Sequence, residues 1–201
     1  MAAIQFVEKW HAAQSENNSR LALGIAPHLA DLPAPIARHD DPFLPFARAI
    51  IEATADMVAL YVFDLASFLA LGAAGARALE RSIPLVPAPI PTVLDGPFWT
   101  AGYARAAYAD AFAVDAVTLA TNDTRAVNAY VKSSANAAFV HRMTGTPPSG
   151  HNIGLYDDSS FYFDATRLLW VTEDIIYASA LDSFQADIRA AAERFRDESL
   201  A

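Results

Sequence analysis

Ile90-Pro91-Thr92-Val93-Leu94-Asp95-Gly96-Pro97-Phe98-Trp99-Thr100 is the stretch on which the reading of this chain turns. A proline-rich approach leads into Ile90–Leu94, a short apolar run with a β-branched residue, which reads as a buried strand. An aspartate follows at once, then glycine, proline and two aromatics. The same unit recurs on either side. Leu21–Ile25, Met57–Phe63, Asp115–Leu119 and Ala138–Arg142 are short apolar runs of strand length. Helical spacing lies between them, at Pro45–Ala55, at Ser67–Arg81 (weakened by Gly72 and Gly75), at Ala101–Phe112 and at Asp123–Ala135, where Thr121, Asn122 or Asp123 is available as N-cap. Ile4–Trp10 has helical spacing too. The prolines at 27, 33 and 35 are read as forbidding regular structure. Alternating short strands and helices are the pattern of parallel βα units.

After Thr144 the alternation breaks. Gly145–Gly150 is a Pro/Gly loop. Ile153–Tyr156, Ser160–Phe163 and Arg167–Thr172 are strand-like and leave no room for helices between them. Leu181–Glu198 closes the chain as an amphipathic helix, with Leu181, Phe184, Ile188, Ala192 and Phe195 at helical spacing. At 201 residues the chain is short for an eight-unit barrel, which usually takes about 250.

Composition narrows the function classes. With 14 Lys+Arg against 23 Asp+Glu, the net charge is −9, which argues against nucleic acid as a partner. Cysteine is absent, so thiolate chemistry and disulfides are excluded. No apolar run reaches the ~18–20 residues of a membrane span, and Met1–Trp10 lacks a secretory hydrophobic stretch. A cytoplasmic location with no membrane partner is expected. Charged residues make up 18%, below the ~25% of an average domain, so a buried subunit interface is expected.

Several segments, in order, resemble the orotidine 5′-monophosphate (OMP) decarboxylase family, and its longer bacterial subgroup in particular. Leu23-Gly24-Ile25-Ala26-Pro27 is similar to the family's G-L-D-P strand end. Ala49–Asp56 is similar to the helix before its second strand, and Ile90–Asp95 to the strand leading into its D-x-K-x-x-D motif. Asp115–Thr118 and Ile175-Ile176-Tyr177-Ala178-Ser179 match as well. The resemblance covers nearly the whole chain. It implies one domain over residues 1–201, a contracted TIM-type β/α barrel with helices missing around the sixth and seventh units, and a homodimer.

The same resemblance implies that the family's chemistry is altered. OMP decarboxylases stabilise and protonate a carbanion with an ammonium group held in a Lys-Asp-Lys-Asp array. Only Asp95 stands here at a matching position. Val62, Pro97 and Thr100 occupy the other three. The chain has two lysines, Lys9 before the first strand and Lys132 late in a helix. Neither lies at the C-terminal end of a strand, where barrel enzymes place their catalysts. Ala26 replaces the ribose-binding aspartate, and Glu173, followed by Asp174, replaces the phosphate-binding arginine. A carboxylate facing a phosphate dianion repels it.

The candidate catalytic residues are therefore Asp95, Asp64 and His28. Asp95 reads as an acid/base or a ligand anchor, or else as a cap of the Gly96 turn. Asp64 reads as its proton-sharing partner or as a helix N-cap. His28 reads as an acid/base or as a surface residue. Val62, Pro97, Phe98, Trp99, Thr100, His141, Arg142 and Thr144 are the candidate substrate-binding residues. His141 and Arg142 are neighbours on a strand, so only one of them can point inward. Trp99, Phe98, Tyr103 and Phe161 read as a pocket wall or as cover for a core left open by missing helices. His151, Asp157 and Asp158 lack the spacing of a metal site, and no metal is expected. No cofactor is expected either, since no nucleotide-phosphate loop is visible. The function expected is a cofactor-independent isomerase, cyclase or lyase acting on an apolar, non-phosphorylated small molecule of natural-product biosynthesis. The alternatives are a non-catalytic pseudoenzyme that binds a small molecule or a protein, and a chain engineered on the family scaffold.

Overall fold

Eight short strands close a barrel in chain order, β1 to β8. The computed structural model describes residues 6–98, 111–120, 123–133, 137–141, 153–163 and 166–201. The strands are β1 (Leu21–Ile25), β2 (Leu60–Asp64), β3 (Thr92–Phe98), β4 (Ala116–Leu119), β5 (Ala137–His141), β6 (Ile153–Asp157), β7 (Ser160–Phe163) and β8 (Thr166–Val171). Neighbours from β1 to β6 pair in parallel, and β8 pairs in parallel with β1 through Leu21↔Leu169. β7 alone runs the other way, antiparallel to both β6 and β8. A parallel return needs a long crossover, whereas an antiparallel one needs only a tight turn. Reversing one strand is how the barrel closes without helices around its sixth and seventh units.

The described helices are α1 (Phe6–Glu16), α2 (Ala34–Ala37), α3 (Phe43–Thr54), α4 (Leu65–Leu69), α5 (Gly72–Ser82), α6 (Thr124–Ser133), α7 (Glu173–Ile176) and α8 (Phe184–Leu200). Two expectations are corrected. The proline-rich segment does form regular structure: a 3-10 turn at Leu29–Asp31 and the single turn of α2, with Pro33 as N-cap and a proline at the helix start. Proline's fixed φ suits a first helical turn, and its missing N–H costs nothing there. The helix expected over 67–81 is split into α4 and α5, because Gly72 takes a positive φ of 60° that turns the chain between them. Most of the helix expected at Ala101–Phe112 lies outside the described residues.

The strands bury both faces, as parallel barrel strands must. Outward-facing Leu21, Leu23, Ile25, Tyr61, Phe63, Leu94, Val117, Leu119, Ala138 and Val140 pack in one cluster with the helices. Inward-facing Ala22, Leu60, Val62, Val93, Ala116, Ala137, Phe139, Tyr156, Phe161, Phe163 and Leu168 form the other. The small residues face the large ones, so the lumen is filled by side chains. The N-terminal end is stopped by α1, whose Phe6 and Trp10 reach the rings of Phe139 and Phe163. Lys9 fixes this plug by donating to Asp115 Oδ2 at 2.6 Å. The same oxygen accepts the Thr92 N–H at 2.8 Å and the Thr92 hydroxyl at 3.0 Å.

Candidate active site

Strand parity decides what points into the barrel at its C-terminal end. Asp64 follows Leu60 and Val62 on the inward face of β2, and Asp95 follows Val93 on β3. The two aspartates are register partners. Thr118 on β4, His141 on β5, Tyr156 on β6 and Trp170 on β8 share that parity, and His141 is the register partner of Tyr156. Glycine at position 24 is required by crowding, since a Cβ there would come within 1.9 Å of Thr172 Oγ1.

Asp95 is the centre of this group. Pairing between β3 and β4 shifts register between Leu94 and Phe98, the kind of irregularity that re-aims a side chain. Across the break, the Gly96 N–H donates to Thr118 Oγ1 at 3.1 Å, and the Thr118 hydroxyl donates to Asp95 Oδ1 at 2.7 Å. Thr118 is wholly buried. Burial pushes the Asp95 carboxyl above the usual carboxylate range; the Thr118 bond opposes this, the Asp64 charge adds to it and His141 opposes it weakly. Burial also raises the Tyr156 phenol to about 12, with Asp95 adding to the rise and a hydrogen bond with Thr118 opposing it.

Aromatic rings form one wall. The His141 ring meets Tyr156 edge-on at 5.0 Å between centroids, Tyr156 stacks on Phe161 at 5.9 Å, and Trp170 lies 4.9 Å from Phe161 and 6.3 Å from Tyr156. The Trp170 indole N–H is shielded from solvent and meets no acceptor among the described residues. His141 also faces exposed Asp158 at 3.9 Å.

The other named residues fall as follows. Asp64 N-caps α4 by accepting the Ser67 N–H, and its charge also reaches Asp95. His28 is half-exposed on the loop after β1, with Nε2 3.3 Å from Ser67 Oγ and Nδ1 3.8 Å from Asp31. The Tyr177 hydroxyl accepts the His28 N–H at 2.6 Å and donates to the Ala26 carbonyl at 3.0 Å, tying that loop to the residue after α7. Val62 is buried inside the barrel, 1% exposed, and Phe161 lies fully buried in the same interior cluster. Pro97 and Phe98 end β3. Trp99, Thr100, Tyr103, Arg142, Thr144 and His151 lie outside the described residues. Asp157 Oδ1 accepts the Ser159 N–H and hydroxyl and so shapes the β6–β7 turn. Among the described residues, no three His, Asp or Glu side chains are grouped to hold a metal ion. No helix among them is long and apolar enough to cross a membrane. Thr118, Tyr156 and Trp170 were not singled out from the sequence.

Raised acidity constants act on stability with a definite sign. A carboxyl whose folded value lies above its unfolded value contributes fully below the unfolded value. That contribution is lost as pH rises through the folded one. Asp95→Asn keeps an acceptor for Thr118 and removes the buried charge. We expect it to match the parent's melting temperature near about pH 4 and to exceed it near about pH 8. A lower melting temperature than the parent at the higher pH would refute a destabilising charge at this position.

No family model matches the chain. It is similar to curated proteins named orotidine 5′-phosphate decarboxylase. The Herpetosiphon aurantiacus protein is 41% identical over 118 residues, 57% of this chain and 44% of that one. The Thermomicrobium roseum protein is 35% identical over 150 residues, 72% of this chain and 53% of that one. The chain thus spans about half the length of the curated relatives it matches. In fold it is similar to the OMP decarboxylase of Leishmania donovani, at a TM-score of 0.73, with 20% identity over 97% of both chains. Sequence and fold agree: the chain is a divergent member of the orotidine 5′-phosphate decarboxylase family.

Proposed function

We propose that this barrel does not decarboxylate OMP, and that it uses Asp95 as an acid/base on an apolar, non-phosphorylated small molecule without a cofactor. The observation that carries the reading is the isolation of Asp95. The carboxylate is half-buried at the barrel mouth and, among the described residues, a threonine hydroxyl is what hydrogen-bonds it. Of the chain's two lysines, Lys9 is held by Asp115 at the opposite end of the barrel, and Lys132 lies on α6, away from any strand end. A carbanion formed at the mouth would meet no ammonium from Lys9. A carboxyl whose proton affinity is raised by burial is instead suited to giving and taking protons. The wall of Tyr156, Phe161 and Trp170 suits an apolar body. Isomerisation, cyclisation and elimination need little beyond such a group and a fitted cavity.

Two measurements test this. With OMP as substrate, purified protein is expected to release no UMP above the uncatalysed background, and ready UMP formation would overturn the first half of the proposal. With apolar ketones and enones in D₂O, the parent is expected to catalyse deuterium incorporation next to the carbonyl. Asp95→Asn is expected to lose it by about 10²–10⁴-fold, the usual contribution of a positioned acid/base. Equal exchange by both proteins would remove Asp95 from the chemistry.

A further inference from the structure

Three side chains on the rim above β1 and β2 form a group that the chemistry at Asp95 does not use. His28 Nε2 lies 3.3 Å from the Ser67 hydroxyl oxygen, and His28 Nδ1 lies 3.8 Å from Asp31 Oδ2. One ring nitrogen thus meets a hydroxyl and the other a carboxylate. With the ring proton on Nδ1, directed at Asp31, Nε2 is left to accept from the Ser67 hydroxyl. This is the order of contacts by which a serine becomes a nucleophile, and it is defined by geometry and not by order along the chain. Such contacts are long in a free protein and tighten around a substrate.

The backbone holds each member in place. In the 3-10 turn at Leu29–Asp31 the Asp31 N–H donates to the His28 carbonyl at 3.1 Å, which sets the carboxylate one turn from the ring. The Tyr177 hydroxyl holds the other end, accepting the His28 N–H at 2.6 Å and donating to the Ala26 carbonyl at 3.0 Å. Burial raises that phenol to about 12, so it keeps its donor proton at neutral pH. Ser67 stands in the first turn of α4, where Asp64 accepts its N–H. Ser67 is half-buried while His28 and Asp31 are open to solvent, so a substrate can reach the hydroxyl. The group lies at the C-terminal end of the strands, where barrel enzymes work. Apolar surface adjoins it. Leu29, 55% exposed, follows His28 in the chain, and Leu69, 45% exposed, follows Ser67 by two residues.

We propose that Ser67 and His28, with Asp31 positioning the imidazole, form a second catalytic site that hydrolyses esters of apolar acids. The Ser67 oxygen bonds to the acyl carbon as its proton passes to His28 Nε2. The bond to the alcohol oxygen breaks, and the alcohol leaves with that proton. Water then attacks the acyl-serine and gives a proton to His28. The acid leaves, and the Ser67 oxygen takes that proton back. Water is the only co-reactant, and nothing is oxidised or reduced. The site is open, so the negative oxygen of each intermediate is solvated by water and not by fixed donors, which makes turnover slow. The reaction is independent of Asp95.

The test follows hydrolysis of p-nitrophenyl acetate and p-nitrophenyl butyrate by the full chain, with labelling by phenylmethanesulfonyl fluoride located by peptide mass. The parent is expected to turn over both esters, the butyrate faster, and to take the sulfonyl group on Ser67. Ser67→Ala and His28→Gln are each expected to lose at least about tenfold in kcat/KM, and His28→Gln to slow the labelling of Ser67 to a similar degree. Asp31→Asn is expected to lower kcat with KM little changed, and Asp31→Glu to recover part of the loss. His11→Gln, on α1 at the other end of the barrel, is expected to match the parent. Melting curves check that the variants are folded. No turnover by the parent, a parental rate in Ser67→Ala, or sulfonylation at another residue would each overturn the proposal. So would a loss in His11→Gln equal to that in His28→Gln, which would mark general hydrolysis by surface imidazoles. A butyrate slower than the acetate would overturn the apolar acyl group, and kcat unmoved in Asp31→Asn would overturn the part of Asp31.

Discussion

Trp10→Ala is expected to cost about 3–5 kcal/mol of folding free energy, the range for truncating a large buried aromatic. Domains of this size hold only about 5–15 kcal/mol in total, so the variant should be largely unfolded in mild urea. The indole is 1% exposed. It lies 5.5 Å from Phe6 and 5.9 Å from both Phe139 and Phe163, ring centre to ring centre. Removing it opens the lumen at the end that α1 closes, and the fixed strand cage cannot collapse onto the gap. Trp10→Phe should behave differently. The indole N–H is buried and meets no acceptor among the described residues, and such a group costs about 1–3 kcal/mol. Phenylalanine deletes that penalty along with some contact area, so its net loss should be much smaller. Urea unfolding of the two variants separates these terms. A loss for Trp10→Ala below about 1 kcal/mol, the level of an ordinary surface change, would mean that α1 does not plug the barrel.

Gly154→Ala should put a strongly destabilising methyl into the barrel's interior. Gly154 faces Phe139 across the β5–β6 register. A Cβ there would come within 2.4 Å of Phe139 Cε1, 2.5 Å of its Cδ1 and 2.9 Å of the Tyr162 carbonyl oxygen. The ring cannot swing aside, because Phe161 sits edge-on at 4.8 Å and Trp10 stacks at 5.9 Å. The other obstacle is backbone. The expected loss is at or above the upper end of the about 1–3 kcal/mol usual for an overpacked core. A smaller side chain opposite should relieve it. Phe139→Leu, destabilising by itself, should cost less in the Gly154→Ala background than alone, with a coupling of about 1 kcal/mol or more in a double-mutant cycle. Strict additivity would show that the two positions do not press on each other.

The strands were legible because each is an apolar run of strand length bounded by turn residues, and all eight stand within a few residues of where the periodicity puts them. The direction of β7 was not legible. A strand's own sequence does not record whether its neighbours run with it or against it; only the tightness of the 158–159 connection hints at it. The segment around Pro33 was misread because proline's two effects oppose one another. It breaks a helix from within, yet it starts one well. In the site, Asp95 and Asp64 were legible as polar residues ending apolar runs. Thr118 and Tyr156 were not, because a threonine or tyrosine within a strand is an ordinary β-former, and their role appears only when β3, β4, β5 and β6 stand side by side.

The reversed strand also sets an order of events. β6, β7 and β8 are joined by two short connections, so their pairing closes only small loops and needs little of the chain to be in place. The seam between β1 and β8 is the opposite case. Leu21 and Leu169 lie about three quarters of the chain apart, and their contact is rewarded only after the intervening staves have assembled. Rate follows the separation of contacts along the chain. By trading two crossovers for a meander, the C-terminal third of this barrel becomes a locally encoded sheet that forms early, and the closing of the ring is concentrated in a single late joint.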